Sequence, residues 1–214
     1  MTLGAAGDQL KVTWVFKPSG VAKVANNIDN DGQDFRLAVV DSPAGNRLFA
    51  DGSPQNSIGG NYNGYAMFMN MDQTLRRSTP FSLMKRSATG AFLSSSGAWT
   101  FQIDDGATGD PGYVSDTTYT YTMMITRNAS DGLDIVSRME GTGLGPMGQG
   151  FLQVMLTDAA PLAFTFDTFG VRPTTGPTTA TTFGTSNLKV EYLTGIPVAT
   201  AIPEPSALVC SVAA

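Results

Sequence analysis

Apolar and polar residues alternate along most of the chain, which is the pattern of β-strands that bury one face. In the clearest run, alternate positions from Tyr119 to Ile125 are apolar or aromatic, and most positions between them are threonines. The alternation predicts strands within residues 10–16, 35–39, 65–71, 99–103, 118–126, 135–139, 152–156, 162–166 and 188–192. No apolar stripe with a 3.6-residue period runs beyond about two turns, so long helices are not expected.

Short polar turn sequences separate the predicted strands. They include Asn63-Gly64, Asp105-Gly106 and the segment from Arg127 to Leu133, which predicts a hairpin connection. Residues 81–86 fit either a short helix or another strand. About nine to eleven strands in one chain predict an all-β, two-sheet antiparallel sandwich of the jelly-roll type with little helix.

Domain organisation follows from where the strand pattern ends. The 214 residues suit one sandwich domain over residues 1–195, followed by a linker and tail over residues 196–214. Charged residues are only 14% of the chain, against about 25% in typical soluble domains. This composition, which is also rich in glycine, favours an extracellular all-β domain.

The residue types that are missing exclude several kinds of chemistry. The chain has no histidine and one cysteine, which excludes Ser-His-Asp catalysis and zinc sites built from histidines or several thiolates. Its 18 acidic and 13 basic residues argue against nucleic acid as a partner, because no basic stripe is available to neutralise phosphates.

The C-terminal sequence Ile202-Pro203-Glu204-Pro205-Ser206, followed by apolar residues, resembles the start of a PEP-CTERM sorting signal. The family signal is a Pro-Glu-Pro motif, a transmembrane helix and a basic end, processed by a membrane-bound exosortase in Gram-negative bacteria. Here eight apolar or small residues, 207–214, follow the motif, and about 20 would be needed to cross a bilayer. We therefore expect no stable membrane span in this sequence and a longer, exosortase-processed precursor.

The order of the predicted strands resembles that of concanavalin A-like, or LamG-like, jelly rolls. The resemblance rests on a first strand at 10–16, the hairpin after Tyr119, the run from Phe164 to Arg172 and a closing strand that ends near Tyr192. In that superfamily the usual functions are glycan binding, glycan hydrolysis or lyase chemistry, and adhesion.

Candidate glycan-binding residues are aromatic or basic. Tyr62 and Tyr113 lie in glycine-rich loops, where exposure for stacking on sugars is expected. The wider set consists of Tyr62, Tyr65, Tyr113 and Trp99, together with Arg76 and Arg77. These two arginines form a basic cluster with Lys85 and Arg86 that could meet an acidic polysaccharide. The alternatives are that Trp99 belongs to the core and that the basic cluster is a solvated loop.

Enzymatic alternatives have weaker support. The Glu-x-Asp-x-x-Glu pattern of jelly-roll glucanases is absent, and Asp104 and Asp105 are adjacent, which favours a turn over a catalytic pair. A lyase without histidine would depend on Tyr119, Tyr121, Arg127 and Arg138. The competing interpretation is that Tyr119 and Tyr121 face the core. Catalysis is therefore left undecided, with a non-enzymatic role favoured.

One acidic loop has the composition of a calcium site. Asp29, Asp31 and Asp34 cluster around Gly32, and carboxylate oxygens are the ligands that Ca²⁺ prefers. The loop lacks the distal glutamate of an EF-hand, and an Asp/Asn-rich hairpin turn without metal is the alternative.

Taken together, these observations predict an exported, non-enzymatic carbohydrate-binding or extracellular-matrix protein at the surface of a Gram-negative bacterium. Its expected partner is a polysaccharide or another glycan. One alternative is a polysaccharide lyase or glycoside hydrolase of the same fold. A second is a structural surface subunit that assembles through its edge strands.

Overall fold

The computed structural model describes residues 1–21, 32–47, 61–173 and 178–195. Within these residues the chain forms ten β-strands and two one-turn 3-10 helices, Ala44–Asn46 and Pro146–Gly148. The strands are β1 (Gln9–Ser19), β2 (Phe35–Asp41), β3 (Asn63–Met69), β4 (Phe81–Arg86), β5 (Trp99–Asp105), β6 (Tyr119–Arg127), β7 (Leu133–Glu140), β8 (Phe151–Asp158), β9 (Thr168–Pro173) and β10 (Thr182–Leu193).

The strands form two five-stranded antiparallel sheets. The first, called the β1 sheet, has the order β10-β1-β6-β7-β8, and the second, called the β3 sheet, has the order β5-β4-β3-β2-β9. All neighbouring strands in both sheets pair antiparallel. The predicted all-β, two-sheet antiparallel sandwich is therefore confirmed.

The main core lies between the two sheets and follows the alternation of the sequence. On β1, Leu10, Val12, Trp14 and Phe16 are all buried. The rings of Phe16 and Tyr119, which lie opposite each other on β1 and β6, are 6.0 Å apart. Tyr119, Tyr121, Met123 and Ile125 are also buried in this core, as the alternative interpretation of these residues predicted.

A second apolar cluster covers the outer face of the β3 sheet. Phe92 and Leu93, from the segment 87–98 between β4 and β5, pack there with Ala38, Ala66 and Trp99. A Cβ atom at Gly170 would lie 3.0 Å from the Phe92 ring, so this glycine allows the ring to approach the sheet closely. β3 is consequently buried on both faces, which the sequence pattern did not predict.

Two arginines fasten the segment 87–98 to the sheet. Arg36 donates to the Leu93 carbonyl at 2.6 Å and lies over the Phe68 ring at 4.3 Å. Arg86 donates to the Gly90 and Ala91 carbonyls at 2.6 and 3.0 Å. Each guanidinium thereby donates charge-assisted hydrogen bonds to backbone carbonyls of this segment.

The structure corrects several predicted strand bounds. Residues 81–86 form a strand and not a helix. The predicted strand at 162–166 is wrong, because this segment makes only one isolated bridge, between Thr165 and Thr2, and the next strand begins at Thr168. The last strand begins at Thr182, well before Leu188, and a register shift between Val15 and Phe16 interrupts the alternation there.

Residues 196–214, which include the Pro-Glu-Pro motif, lie outside the described residues. The division into a domain at 1–195 and a tail at 196–214 therefore stays a prediction. Within the described residues, no helix is long and apolar enough to cross a membrane.

Candidate functional site

A polar pocket of about 280 Å³ opens at one end of the β3 sheet. It lies where β3 begins and β4 ends, beside the turn that follows β8. Its lining residues are Asn61, Tyr62, Asn63, Arg86, Ser87, Ala88, Thr89 and Leu162. The volume is close to the lower limit of small-molecule pockets, about 300 Å³.

A hydrogen-bonded network behind the pocket joins the two sheets. Tyr65 Oη on β3 donates to Asp158 Oδ2 on β8 at 2.6 Å. Lys85 Nζ on β4 lies 2.7 Å from the same oxygen and also donates to the Ala160 carbonyl at 2.7 Å. These bonds hold the turn after β8 against the end of β4, and this turn carries Leu162 to the pocket.

The network also sets the charge state of its members. Burial acts to raise the pKa of Asp158, but hydrogen bonds from Lys85 and Tyr65 outweigh burial and lower it. Burial, followed by the bond to Asp158, raises the pKa of Tyr65. The ionised carboxylate is therefore matched by a cation and a neutral phenol, which is a satisfied arrangement for a group with little solvent exposure.

Arg86 forms part of the pocket wall and directs its donors inward. Its Nη atoms bond to carbonyls of the segment 87–98, and its guanidinium lies 5.0 Å from the Trp99 ring centroid. Burial lowers the pKa of Arg86. Because these donors are engaged by the protein, Arg86 is poorly placed to bind the carboxylate of an acidic ligand.

The accessible groups of the pocket are mostly neutral. Asn61, Ser87 and Thr89 are exposed, and their amide and hydroxyl groups both donate and accept hydrogen bonds. Leu162 adds an exposed apolar surface. Neutral hydrogen-bonding groups beside an apolar patch match a ligand that has hydroxyls on its edge and C–H groups on its face.

The predicted exposure of Tyr62 and Tyr113 is wrong. Tyr62, Tyr65, Tyr113 and Trp99 are all buried, none being more than 6% exposed. Tyr62 packs edge-on against Phe92 at 5.0 Å, and Tyr113 packs against Tyr119 at 5.0 Å. Trp99 belongs to the cluster outside the β3 sheet, as its core alternative predicted, and donates to the Phe92 carbonyl at 2.6 Å.

The predicted basic cluster is not a positively charged surface. Arg76 is 2% exposed, and its Nη1 lies 3.6 Å from Asp72 Oδ2 in a buried ion pair. Lys85 is paired with Asp158, as described above. Arg77 is half-buried and donates to Thr79 Oγ1 at 3.1 Å. The cluster therefore lacks the exposed charge that binding an acidic polysaccharide would require.

The residues proposed for lyase chemistry do not meet in one place. Tyr121 points into the core, where its hydroxyl bonds to Ser137 Oγ at 3.1 Å. Arg138 lies on the opposite face of the same sheet, over the Phe151 ring at 3.8 Å. Arg127 fastens the N-terminal segment by donating to the Leu3 and Gly4 carbonyls, both at 3.0 Å. Tyr119 is also in the core, so strand alternation separates the tyrosines from Arg138.

The predicted calcium loop is only partly described. Asp29 and Asp31 lie outside the described residues. Asp34 accepts a hydrogen bond from Thr178 Oγ1 at 2.8 Å, which ties β2 to the segment before β10. Among the described residues, no group of three or more His, Cys, Asp or Glu side chains could hold a metal ion.

A second cavity, of about 230 Å³, lies between the sheets at the edge formed by β9 and β10. Its walls are mainly apolar and include Leu10, Val12, Val39 and Val190. Asp167 lies at its rim and accepts from Ser42 N and Oγ at 2.9 and 2.7 Å and from Arg47 at 2.6 Å. These bonds make Asp167 an anchor for the turn after β2.

The two aspartates near this rim are shifted in opposite directions. Burial acts to raise the pKa of Asp167, but hydrogen bonds from Ser42 and Thr168 outweigh it and lower the pKa. Burial, together with the charge of Asp167, raises the pKa of Asp41. Asp41 lies opposite Asn63 in the β2–β3 pair, close in register to the polar pocket.

No protein-family model matches the chain, and no curated protein is significantly similar to it. The pocket must therefore be interpreted from its own residues. Of these, only Tyr62 was predicted from the sequence as a binding residue, and Arg86 was assigned to the basic cluster. The polar, glycine-rich segment Gly59–Gly64 was the one sequence feature that pointed to this site. Leu162 and residues 86–89 are distant in the sequence and lie beside this segment only in the folded chain.

Proposed function

We propose that this chain is an exported, non-enzymatic carbohydrate-binding or extracellular-matrix protein, and that its polar pocket binds one neutral sugar unit of a glycan. The observation that carries the proposal is the combination of Asn61, Ser87 and Thr89 with the apolar Leu162 around one concave site. Amide and hydroxyl groups pair with sugar hydroxyls, while an apolar side chain packs on the C–H face of a pyranose ring.

The hydrogen bonds around the pocket support a binding role. Tyr65, Lys85 and Asp158 join the sheets behind it, and Arg86 holds the segment 87–98 beside it. A pre-organised site loses little conformational entropy when a ligand binds. Neutral glycans are favoured over acidic ones, because Arg86, Lys85 and Arg76 are engaged by the protein and the chain has a net charge of −5.

The surface location is proposed from the sequence alone. The concanavalin A-like order of strands and the PEP-CTERM-like motif at Ile202–Ser206 support export, processing by an exosortase-type enzyme and display in the extracellular matrix of a Gram-negative bacterium. The motif lies outside the described residues. Calcium dependence stays a prediction that a calcium titration of the melting temperature would test.

The proposal is tested by glycan-array binding, followed by titration of the best ligand monitored by NMR. We expect binding to neutral glycans, with chemical-shift changes concentrated at residues 61–63, 86–89 and 162. The variant Ala88→Trp should fill the pocket, because Ala88 is exposed at its wall, and should abolish binding. Thr122→Trp, on the outer face of the β1 sheet, is the matched control and should bind as the parent does.

Two results would overturn the proposal. One is the absence of binding to any glycan on the array and to insoluble polysaccharides in pull-downs. The other is glycan binding that Ala88→Trp leaves unchanged, which would locate the site elsewhere. Formation of unsaturated, ultraviolet-absorbing products from uronate polymers would instead support the lyase alternative.

A further inference from the structure

The strand β10 is an edge strand of the β1 sheet. It has 12 residues, pairs with β1 on one side, and has no strand on its other side among the described residues. Ten of its 12 residues are exposed. Long exposed edges are ready templates for pairing with another strand, and proteins usually cover or interrupt them.

Three of the exposed side chains of β10 are large and mainly apolar, and they lie on the face of the sheet that is otherwise buried. Leu188, Val190 and Tyr192 lie opposite Trp14, Val12 and Leu10, so they point to the core side of the sheet. They are nevertheless 52%, 44% and 39% exposed. The reason is that the β3 sheet ends at the six-residue strand β9, which leaves the core side of β10 uncovered.

The opposite side of the sandwich is sealed in a different way. There, Asp105 Oδ2 at the end of β5 accepts a hydrogen bond from the backbone N–H of Gln153 on β8 at 2.7 Å. At the β9–β10 side, the cavity of about 230 Å³ separates the sheets instead. Val171 on β9 lies opposite the buried Leu37, so it points to the core side of the β3 sheet, yet it is 40% exposed.

The sequence of β10 is complementary to itself when two copies run antiparallel. If Val190 lies opposite Val190 of a second copy, Lys189 lies opposite Glu191 and Leu188 lies opposite Tyr192. Lys189 and Glu191 already form an ion pair within one strand, at 2.7 Å. Pairing would assemble two lysines and two glutamates on the outer face, and six apolar side chains on the inner face.

We propose that two copies of this chain associate through β10, as an antiparallel pair centred on Val190, to form one continuous ten-stranded sheet. A lysine on an edge strand normally opposes such pairing. In this register, however, Lys189 lies opposite Glu191 of the second copy, so the two charges attract each other. Opposite charges at directly paired positions stabilise antiparallel strands, and like charges destabilise them. The two-fold symmetry closes the assembly at a dimer.

Charge reversal tests the pairing, measured by sedimentation velocity and light scattering over a concentration series. We expect the parent chain to dimerise in the micromolar range, and Lys189→Glu or Glu191→Lys alone to weaken the dimer by about tenfold. An equimolar mixture of the two variants should restore association, as should the double exchange. Lys17→Glu, an exposed lysine on β1, is the matched control and should dimerise normally.

The equimolar mixture distinguishes a Lys189–Glu191 contact between two copies from one that acts only within a single strand. Neither single variant can form the Lys189–Glu191 pair within its own strand, so restored association requires contact between copies. A parent chain that stays monomeric at every concentration would overturn the proposal, as would growth into open-ended assemblies. Single variants that dimerise as tightly as the parent chain would also overturn the proposal.

Disulfide trapping tests the register independently. In a Cys210→Ser background, Val190→Cys should give a covalent dimer under mild oxidation, whereas Leu188→Cys should not, because its symmetry mate lies several residues away. If Val190→Cys gives no covalent dimer, or if Leu188→Cys gives as much as Val190→Cys, the pairing is not centred on Val190 and the proposal is wrong. None of these measurements involves a glycan, so the dimer can be refuted without refuting glycan binding, and the reverse also holds.

Discussion

Tyr65 on one sheet donates a 2.6 Å hydrogen bond to Asp158 on the other, and Lys85 completes the contact at 2.7 Å. The three side chains join β3, β4 and β8 at the end of the sandwich that carries the polar pocket. Hydrogen bonds to charged, poorly solvated groups are among the stronger single contacts in proteins.

Removing the Tyr65 hydroxyl should therefore destabilise the fold. We expect Tyr65→Phe to lower the free energy of unfolding by about 2 kcal/mol, because Asp158 loses a donor while staying largely buried. Urea denaturation followed by circular dichroism measures the change. Thr157→Val is the matched control, since it removes a 2.8 Å hydrogen bond to Asp134 at an exposed position and should cost less. Equal losses for both variants would contradict the role given to burial.

Acid should destabilise the protein through Asp158 and Asp167. The pKa of each carboxyl is lowered in the folded protein, so its stabilising contribution is present at neutral pH. This contribution is lost as the pH falls below about 4, the ordinary aspartate value, towards the folded-state pKa. Melting temperatures recorded from pH 7 to pH 2 should fall in this range. Asp158→Asn should flatten that part of the profile.

Ionisation of Asp41 should destabilise the fold, in contrast to ionisation of Asp158 and Asp167. Burial and the charge of Asp167 raise its pKa, so its ionisation weakens the fold as the pH rises through the folded-state value. Asp41→Asn should then raise the melting temperature at pH 7 and have little effect at low pH, where the parent carboxyl is already neutral. A lower melting temperature of Asp41→Asn at pH 7 would refute the assignment.

The segment 87–98 should detach from the β3 sheet when its anchor is removed. Phe92→Ala deletes the ring that packs on Gly170, Tyr62 and Trp99, and we expect a loss of about 3 kcal/mol. The emission of Trp99, recorded in a Trp14→Phe background, should shift to longer wavelength as solvent reaches the indole. Unchanged emission would show that the cluster does not depend on Phe92.

Gly64 should resist substitution because of both its conformation and its neighbours. Its φ is +143°, and a Cβ atom would lie 2.4 Å from the Val39 carbonyl oxygen. We expect Gly64→Ala to destabilise the protein by about 2 kcal/mol or more. Gly45→Ala is the control, since nothing lies within 4 Å of its Cβ position, and it should leave the unfolding midpoint nearly unchanged.

Local alternation was enough to predict the architecture. Positions such as Leu10 to Phe16 and Tyr119 to Ile125 have one apolar face each, and burying those faces requires two stacked sheets. The same reasoning failed at residues 162–166, where Phe164 is apolar but is held by the N-terminal segment through the Leu3–Phe164 backbone bond and the Arg127 side chain. Hydrophobic periodicity does not distinguish a β-strand from an irregular apolar segment that packs against a neighbouring part of the chain.

The candidate site was much less predictable. Tyr62 and Tyr113 were expected to be exposed because glycine-rich loops usually lie at the surface, yet Phe92 and Tyr119 cover them. Arg76 and Lys85 belong to the basic cluster for which the sequence left open a polysaccharide surface or a solvated loop, yet each pairs with an aspartate, Asp72 or Asp158. In each case the deciding partner is brought in by folding, and in three of the four it lies on another strand or loop.

The sequence by itself therefore determined the all-β class, the core-facing side of most strands and the absence of histidine chemistry. These follow from residue identity and a period of two, both of which are local properties. Only the tertiary structure decided which loops are covered, where the polar pocket forms and that β10 is left with an exposed apolar face. These depend on contacts between distant segments, and on one sheet ending before the other.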